Sequence, residues 1–87
     1  MKKNNKVTVA ATQMSCSWEI DENLDKAKKI IIDAAEQGAN IILLQELFQT
    51  PYFCIQYDEK IFRLAKTFEN NKVLEEMSQI AKKFEVV

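Results

Sequence analysis

The sequence predicts an α/β fold with the element order βαβαβ. Two observations lead to this prediction: short runs of strand-forming residues at 7–13 and 41–44, and amphipathic stretches at helical spacing, one between these runs and one after them. A strand, a helix and a second strand in this order form a right-handed parallel βαβ unit. The closing residues of the chain have the pattern of a further strand that is just beginning.

The first two elements follow from local composition. Residues 7–13 are rich in Val, Thr and Ala, which is typical of a strand. Asp21 is a suitable N-cap for the helix that follows, and Gly38 suits the position just beyond its end, where a left-handed backbone is common. The apolar residues between them recur at helical spacing and predict a core-facing stripe: Leu24, Ala27, Ile31, Ala34 and Ala35.

The second strand leads directly to a carboxylate. Residues 41–44 show no polar alternation, which is typical of a strand covered on both faces of a parallel sheet, and such sheets bind ligands outside the carboxyl ends of their strands. Glu46 follows at that end. Apolar walls beside a carboxyl group reduce the hydration of its ionised form, and this raises its pKa toward the range useful to a general base. The alternative is that Glu46 is simply the first solvated residue after the strand.

Two more helical segments are predicted in the second half of the chain. Residues 59–68 favour a short helix that packs Ile61, Leu64, Ala65 and Phe68. Asn70 or Asn71 then opens a second amphipathic helix, whose apolar face we expect to be buried in the core: Val73, Leu74, Met77, Ile80, Ala81 and Phe84.

Composition and charge exclude several classes of partner. The chain of 87 residues is 47% hydrophobic and 29% charged, which suits one small globular domain. Twelve basic and thirteen acidic side chains nearly cancel, so we expect no nucleic-acid or anionic-membrane partner. The apolar stretch after Lys6 is too short for a signal-peptide core, and no run approaches the roughly 18 residues of a membrane span. We therefore expect a cytoplasmic protein.

Metal and cofactor chemistry have little support in the sequence. There is no histidine, and Cys16 and Cys54 lie too far apart in the chain for a C-x-x-C motif, so zinc binding and thioredoxin chemistry are not expected. Buried structural thiols are the favoured interpretation of both cysteines. A single glycine, Gly38, cannot form a glycine-rich phosphate cradle. A nucleotide-binding βαβ unit is therefore not favoured.

The aromatic loop after Glu46 has two interpretations. Phe48, Tyr52 and Phe53 could cover the edge of the sheet. Alternatively, Tyr52 could line a substrate pocket and offer its hydroxyl group to a ligand. Pro51 stiffens the loop in either case.

Three segments resemble a known superfamily. V-T-V-A-A-T-Q-M at 7–14, E-Q-G-A-N at 36–40 and I-I-L-L-Q-E-L-F at 41–48 are similar to the amino-terminal part of the nitrilase, or carbon-nitrogen hydrolase, superfamily. Within it, Q-E-L-F-Q-T-P-Y-F-C at 45–54 looks most like the N-carbamoylputrescine amidase family. The resemblance implies that residues 1–87 are the amino-terminal βαβαβ portion of an α-β-β-α sandwich. It also implies a small carbamoyl or amide substrate, no cofactor, and a homo-oligomer for the intact protein.

The resemblance assigns a role to one residue. Glu46 matches the family's catalytic glutamate, the general base of a Glu-Lys-Cys triad, whose lysine and nucleophilic cysteine lie in later segments. K-K-F-E-V-V at 82–87 resembles the family's helix end running into the next strand. We therefore expect a domain that is incomplete at its carboxyl end and inactive by itself. Three alternatives stay open: a catalytically dead remnant or interaction module, another amidase or ureidopropionase of the superfamily, and an unrelated small α/β binding module.

Overall fold

The computed structural model describes residues 6–56 and 58–87. Strand β1 (Val9–Ala11) lies parallel to strand β2 (Ile41–Leu43), with Val9 opposite Ile41, and helix α1 (Ile20–Glu36) connects them. Two short 3₁₀ turns (Phe53–Ile55 and Glu59–Leu64) and helix α2 (Lys72–Phe84) follow. The predicted α/β class and the parallel βαβ unit are confirmed. Of the helices in the described ranges, none has the length and apolar character needed to cross a membrane.

The chain returns to the sheet after α2. Val87 donates its N–H to the carbonyl of Asn40 (2.9 Å), and its carbonyl accepts from the N–H of Ile42 (2.8 Å). Val87 is thus hydrogen-bonded to the residues on either side of Ile41, which is the bonding pattern of parallel strands. Because successive residues of a strand point their backbone groups to opposite edges, these bonds lie on the edge of β2 away from β1. The described sheet has two strands, and these two bonds are consistent with the predicted start of a third.

Helix α1 begins earlier than predicted. Asp21 does not cap it: Glu19 occupies the N-cap position, and the N–H of Asn23 donates to the carbonyl of Glu19 (3.1 Å). Asp21 lies instead in the first turn, where its negative carboxylate interacts favourably with the positive end of the helix dipole. At the other end Gly38 follows the helix with φ of 98°, so the predicted C′ glycine is confirmed.

The two helices bury the apolar stripes that the sequence predicts only in part, and the expected burial of Leu74 is wrong, because its side chain is 46% exposed. Leu24, Ala27 and Ile31 of α1 are buried, as are Val73 and Ile80 of α2. Burying side chains of this size supplies most of the driving force for folding, about 1.5–3 kcal/mol for each large one.

Polar contacts fix the entry and the position of α2. The side chain of Asn71 accepts from the N–H of Leu74 (3.1 Å), so of the two predicted N-caps Asn71 is the one used. An ion pair between Lys28 and Glu76 (2.9 Å) ties the two helices together at a half-buried position.

The sheet is covered on one face. The prediction that residues 41–44 are buried on both faces is wrong for the described chain, because Leu43 is 68% exposed and Ile41 is 42% exposed. Val9 on the neighbouring strand is 69% exposed. The physical reason is that α1 packs against β2 and α2 packs against α1, so the described helices leave the opposite face open. We call Val9, Ile41 and Leu43 the open sheet face.

The helix predicted at residues 59–68 is shorter and tighter than expected. It is a 3₁₀ helix over Glu59–Leu64, opened by the side chain of Asp58, which accepts from the N–H of Lys60 (3.0 Å). Ile61 and Leu64 are half-buried, as predicted. Ala65 and Phe68 fall beyond it and are exposed, because Ala65 takes an extended backbone that ends the helix.

The open sheet face predicts self-association of the 87-residue chain. Exposed edges and apolar faces of strands template pairing with other chains. Replacing both Val9 and Leu43 by Lys should therefore lower the apparent mass in concentration-dependent sedimentation. The matched control replaces Ile55 and Phe68 by Lys, since these residues are 83% and 78% exposed but lie outside the strands. A chain that sediments as a monomer at every concentration would contradict the prediction.

Candidate functional site

Glu46 lies where the sequence predicts, beyond the carboxyl end of β2. Because β1 and β2 are parallel, the loops that leave them meet at the same edge of the sheet. We call residues 46–52, which follow β2 there, the site loop. Glu46 itself is exposed, so the apolar walls expected from the sequence do not enclose it in the described chain.

Two cavities formed by the described residues border Glu46. The larger, of about 510 Å³, lies between the site loop and the 3₁₀ helix, and apolar side chains form much of its wall: Ile20, Leu47, Phe48, Phe53, Ile61, Phe62 and Leu64. The smaller, of about 330 Å³, lies between the site loop and the loop after β1, where Met14 and Cys16 face Tyr52. The carboxylate therefore stands at a boundary between the two, with access to solvent and to apolar surface.

Tyr52 is the second predicted site residue, and its phenol lies near Glu46. The negative charge of the Glu46 carboxylate raises the pKa of the Tyr52 phenol above its ordinary value of 10.0, and Cys54 adds to the effect by charge and by a hydrogen bond. The physical cause is that a phenolate formed beside a carboxylate is destabilised. Tyr52 is half-exposed and lines the smaller cavity, so its role as a substrate-binding residue stays a prediction.

Three successive carbonyl groups of the site loop each accept a hydrogen bond from a side chain. We call the carbonyls of Leu47, Phe48 and Gln49 the carbonyl row. Their donors are Gln45 Nε2 to Leu47 (3.0 Å), Cys16 Sγ to Phe48 (3.3 Å) and Asn23 Nδ2 to Gln49 (2.6 Å). The backbone that follows Glu46 is thus held by side chains from three separate segments.

Asn23 is the most buried of these donors. Its side chain is 2% exposed, accepts from the N–H of Ser17 (3.0 Å), and donates to the carbonyls of Ser17 and Gln49 (both 2.6 Å). Each of those partners would lose its hydrogen bond if Asn23 were removed, at about 1–3 kcal/mol for a buried unsatisfied group. Our sequence analysis missed it. A signal was present, because Asn23 lies one turn before Ala27 on the buried stripe, where a polar residue needs partners.

Gln45 joins the two loops that flank the site. Its Oε1 accepts from the N–H of Met14 (2.6 Å), and its Nε2 donates to Leu47 and lies 3.6 Å from the sulfur of Cys16. The residue directly before Glu46 therefore holds the end of β2 against the loop after β1.

The two cysteines differ. Cys16 is half-buried and donates its thiol to Phe48, which fits the structural interpretation. Cys54 is exposed, so the expectation of burial is wrong at that position, because the turn that contains it lies on the surface. Within residues 6–56 and 58–87, no three potential ligands among His, Cys, Asp and Glu come close enough together to hold a metal ion.

Comparisons with known proteins identify the family to which the chain is similar. A family model described as carbon-nitrogen hydrolase matches residues 8–87. The chain is 40% identical over 86 residues to N-carbamoylputrescine amidase of Solanum lycopersicum, covering 99% of this chain and 29% of that protein. It is 41% identical over 83 residues to the enzyme of the same name from Oryza sativa, covering 95% of this chain and 28% of that protein.

A relative with a different name is nearly as similar. The chain is 38% identical over 81 residues to citrullinase of Francisella tularensis, covering 93% of this chain and 28% of that protein. The chain therefore spans less than a third of the length of each of these relatives.

The contact between Glu46 and Tyr52 predicts a change in titration. Replacing Glu46 by Gln removes the negative charge that opposes phenolate formation, so the pKa of Tyr52 should fall toward 10.0. A spectrophotometric titration would be run in a Tyr57→Phe background, which leaves one tyrosine in the chain. Glu59→Gln is the control, since it removes the same charge from another residue that lines the larger cavity but does not raise the pKa of Tyr52, and it should leave the titration unchanged. An unchanged pKa in Glu46→Gln would show that the two groups are not neighbours in solution.

Proposed function

The chain belongs to the carbon-nitrogen hydrolase family, and we propose that it forms part of an amidase that hydrolyses N-carbamoylputrescine to putrescine, carbon dioxide and ammonia. The observation that carries this proposal is the position of Glu46. It stands at the carboxyl edge of two parallel strands, beside two cavities, in the segment that resembles the family's catalytic glutamate. Identities of 40% and 41% to two amidases of that name support the substrate.

In this proposal the βαβ unit is the amino-terminal portion of an α-β-β-α sandwich. Two features support it: the open sheet face, which is apolar and uncovered by the described helices, and the bonds of Val87 to the free edge of β2. The relatives are more than three times as long as the matched region, which leaves room for the remaining strands.

The proposed mechanism is acyl transfer with Glu46 as general base. Following the resemblance, Glu46 accepts the proton of a cysteine thiol, the thiolate attacks the carbamoyl carbon, and a lysine stabilises the tetrahedral intermediate. Glu46 returns that proton to the leaving ammonia, which leaves the substrate joined to the sulfur as a thiocarbamate. Glu46 then takes a proton from water as the water attacks the same carbon, the carbon–sulfur bond breaks, and the thiolate regains the proton. The carbamic acid that is released loses carbon dioxide to give putrescine. The lysine and that cysteine belong to later segments in this proposal, so Cys16 and Cys54 serve neither role. Exposure of Glu46 to solvent supports this arrangement, because its carboxylate is accessible to groups that those segments would contribute.

A second candidate substrate is another carbamoyl or amide compound. The 38% identity to citrullinase favours it, because that similarity extends over 93% of this chain and includes the region of Glu46. A catalytically dead remnant or interaction module is the third candidate. Ammonia release from each substrate by an extended polypeptide distinguishes the three.

The remaining expectations from the sequence stay predictions. They are a cytoplasmic location, a homo-oligomeric intact protein, and the lack of nucleic-acid, membrane and cofactor partners. The small net charge supports the expectation about nucleic acid.

A polypeptide of residues 1–87 should not hydrolyse N-carbamoylputrescine. A general base without a nucleophile and an oxyanion-stabilising group cannot form the covalent intermediate. The measurement is ammonia release by the purified chain against a Glu46→Gln control. Release well above that control would mean that Cys16 or Cys54 is a nucleophile, and our assignment would be wrong.

Glu46→Gln should inactivate an extended enzyme. The test protein is a chimera in which residues 1–87 replace the 86 matched residues of the Solanum lycopersicum amidase. Loss of a positioned acid-base group lowers turnover by at least about 100-fold, while the exposed side chain makes little difference to folding. Cys54→Ser is the control and should keep most of the activity. A Glu46→Gln chimera with near-full turnover would return Glu46 to the role of a solvated surface residue.

A further inference from the structure

The carbonyl row begins directly after Glu46. In extended or irregular backbone, successive carbonyls usually find water or other backbone groups, whereas here all three accept from side chains. The donors come from three places in the chain: the residue before Glu46, the loop after β1, and helix α1. Such a row limits the rotation of the backbone that determines where Glu46 points.

We propose that Asn23 is a positioning residue for Glu46, holding the end of the carbonyl row against helix α1 through the carbonyl of Gln49. It does not touch substrate. The value of this positioning for catalysis rests on the proposed function, since it requires Glu46 to be the base. The positioning itself is a property of the 87-residue chain.

Burial distinguishes Asn23 from the other two donors. Gln45 and Cys16 are half-buried and lie outside the helices, next to β2 and in the loop after β1. Asn23 is 2% exposed and lies in the first turns of α1, next to the buried Leu24. Its carboxamide therefore connects the site loop to the core of the molecule.

The hydrogen-bond partners of Asn23 also show more than a helix-entry role. A residue that only stabilised the start of α1 would need the two bonds to Ser17. The second N–H of the same carboxamide is directed to Gln49, 26 residues further along the chain, at 2.6 Å. A single planar group thus holds the loop after β1 and the loop after β2 at once.

The test uses Tyr52 as a reporter of the position of Glu46. Asn23→Leu keeps a similar volume and adds no charge, but it removes all three hydrogen bonds. In a Tyr57→Phe background, we expect the pKa of Tyr52 to lose most of its displacement above 10.0, while circular dichroism still shows both helices. Ile31→Val is the matched control, since it removes apolar contact from the buried face of the same helix away from the carbonyl row. It should leave the titration unchanged.

Two outcomes would overturn the proposal. One is an unchanged pKa of Tyr52 in a folded Asn23→Leu chain. The other is an equal fall in Ile31→Val, which would mean that any loosening of the core moves Glu46.

A second measurement needs no substitution. In the unsubstituted chain, the side-chain amide protons of Asn23 should exchange with solvent far more slowly than those of Asn70, which is exposed. Equal exchange rates would overturn the proposal even if Asn23→Leu failed to fold. Both measurements are made without substrate, so an inactive chimera or an active Glu46→Gln variant would contradict the proposed function and leave this result intact.

Discussion

The buried carboxamide of Asn23 is the contact on which the arrangement of the site depends. It joins helix α1 to Ser17 on the loop after β1 and to Gln49 on the loop after β2, through bonds of 2.6–3.0 Å. Burying a carboxamide costs free energy unless its donors and its acceptor are hydrogen-bonded. Because the partners of Asn23 lie on both loops, satisfying all three hydrogen bonds favours one arrangement of the two loops. Strand β2 places Glu46 at the edge of the sheet, and the hydrogen bond from Asn23 to Gln49 restrains the backbone that follows Glu46.

The uncovered face of the sheet limits the folding stability of the described chain. Very small domains bury only about 60% of the surface of the unfolded chain, and here one face of both strands gains nothing from the helices. The apolar residues of β2 suit a buried position, yet Ile41 and Leu43 are exposed. The chain belongs to the carbon-nitrogen hydrolase family and spans under a third of the length of the relatives reported above. In the function proposed here, further strands would cover the open sheet face.

The environment of Glu46 is more polar than a buried strand end suggests. Its carboxylate is exposed, and its clearest electrostatic effect in the described chain is on Tyr52, whose pKa it raises. The carboxylate and the phenol both line the smaller cavity, on a loop whose carbonyls accept hydrogen bonds at Leu47, Phe48 and Gln49. An exposed base is of use to catalysis only if its direction is fixed, because proton transfer requires hydrogen-bond distance and alignment.

The sequence by itself determined the local elements and the place of the acid. Apolar spacing and capping residues predicted both helices, with Gly38 after α1 and Asn70 or Asn71 before α2, because these signals depend on neighbours within one or two turns. The N-cap predicted at Asp21 was wrong, since Glu19 occupies that position. The run before Glu46 predicted a parallel strand that ends at the site. Only the tertiary structure decided which faces of the sheet are covered and how the site loop is held. The bonds of Asn23, Gln45 and Cys16 join residues far apart in the chain, and their existence depends on how the helices pack on the sheet, which local periodicity does not encode.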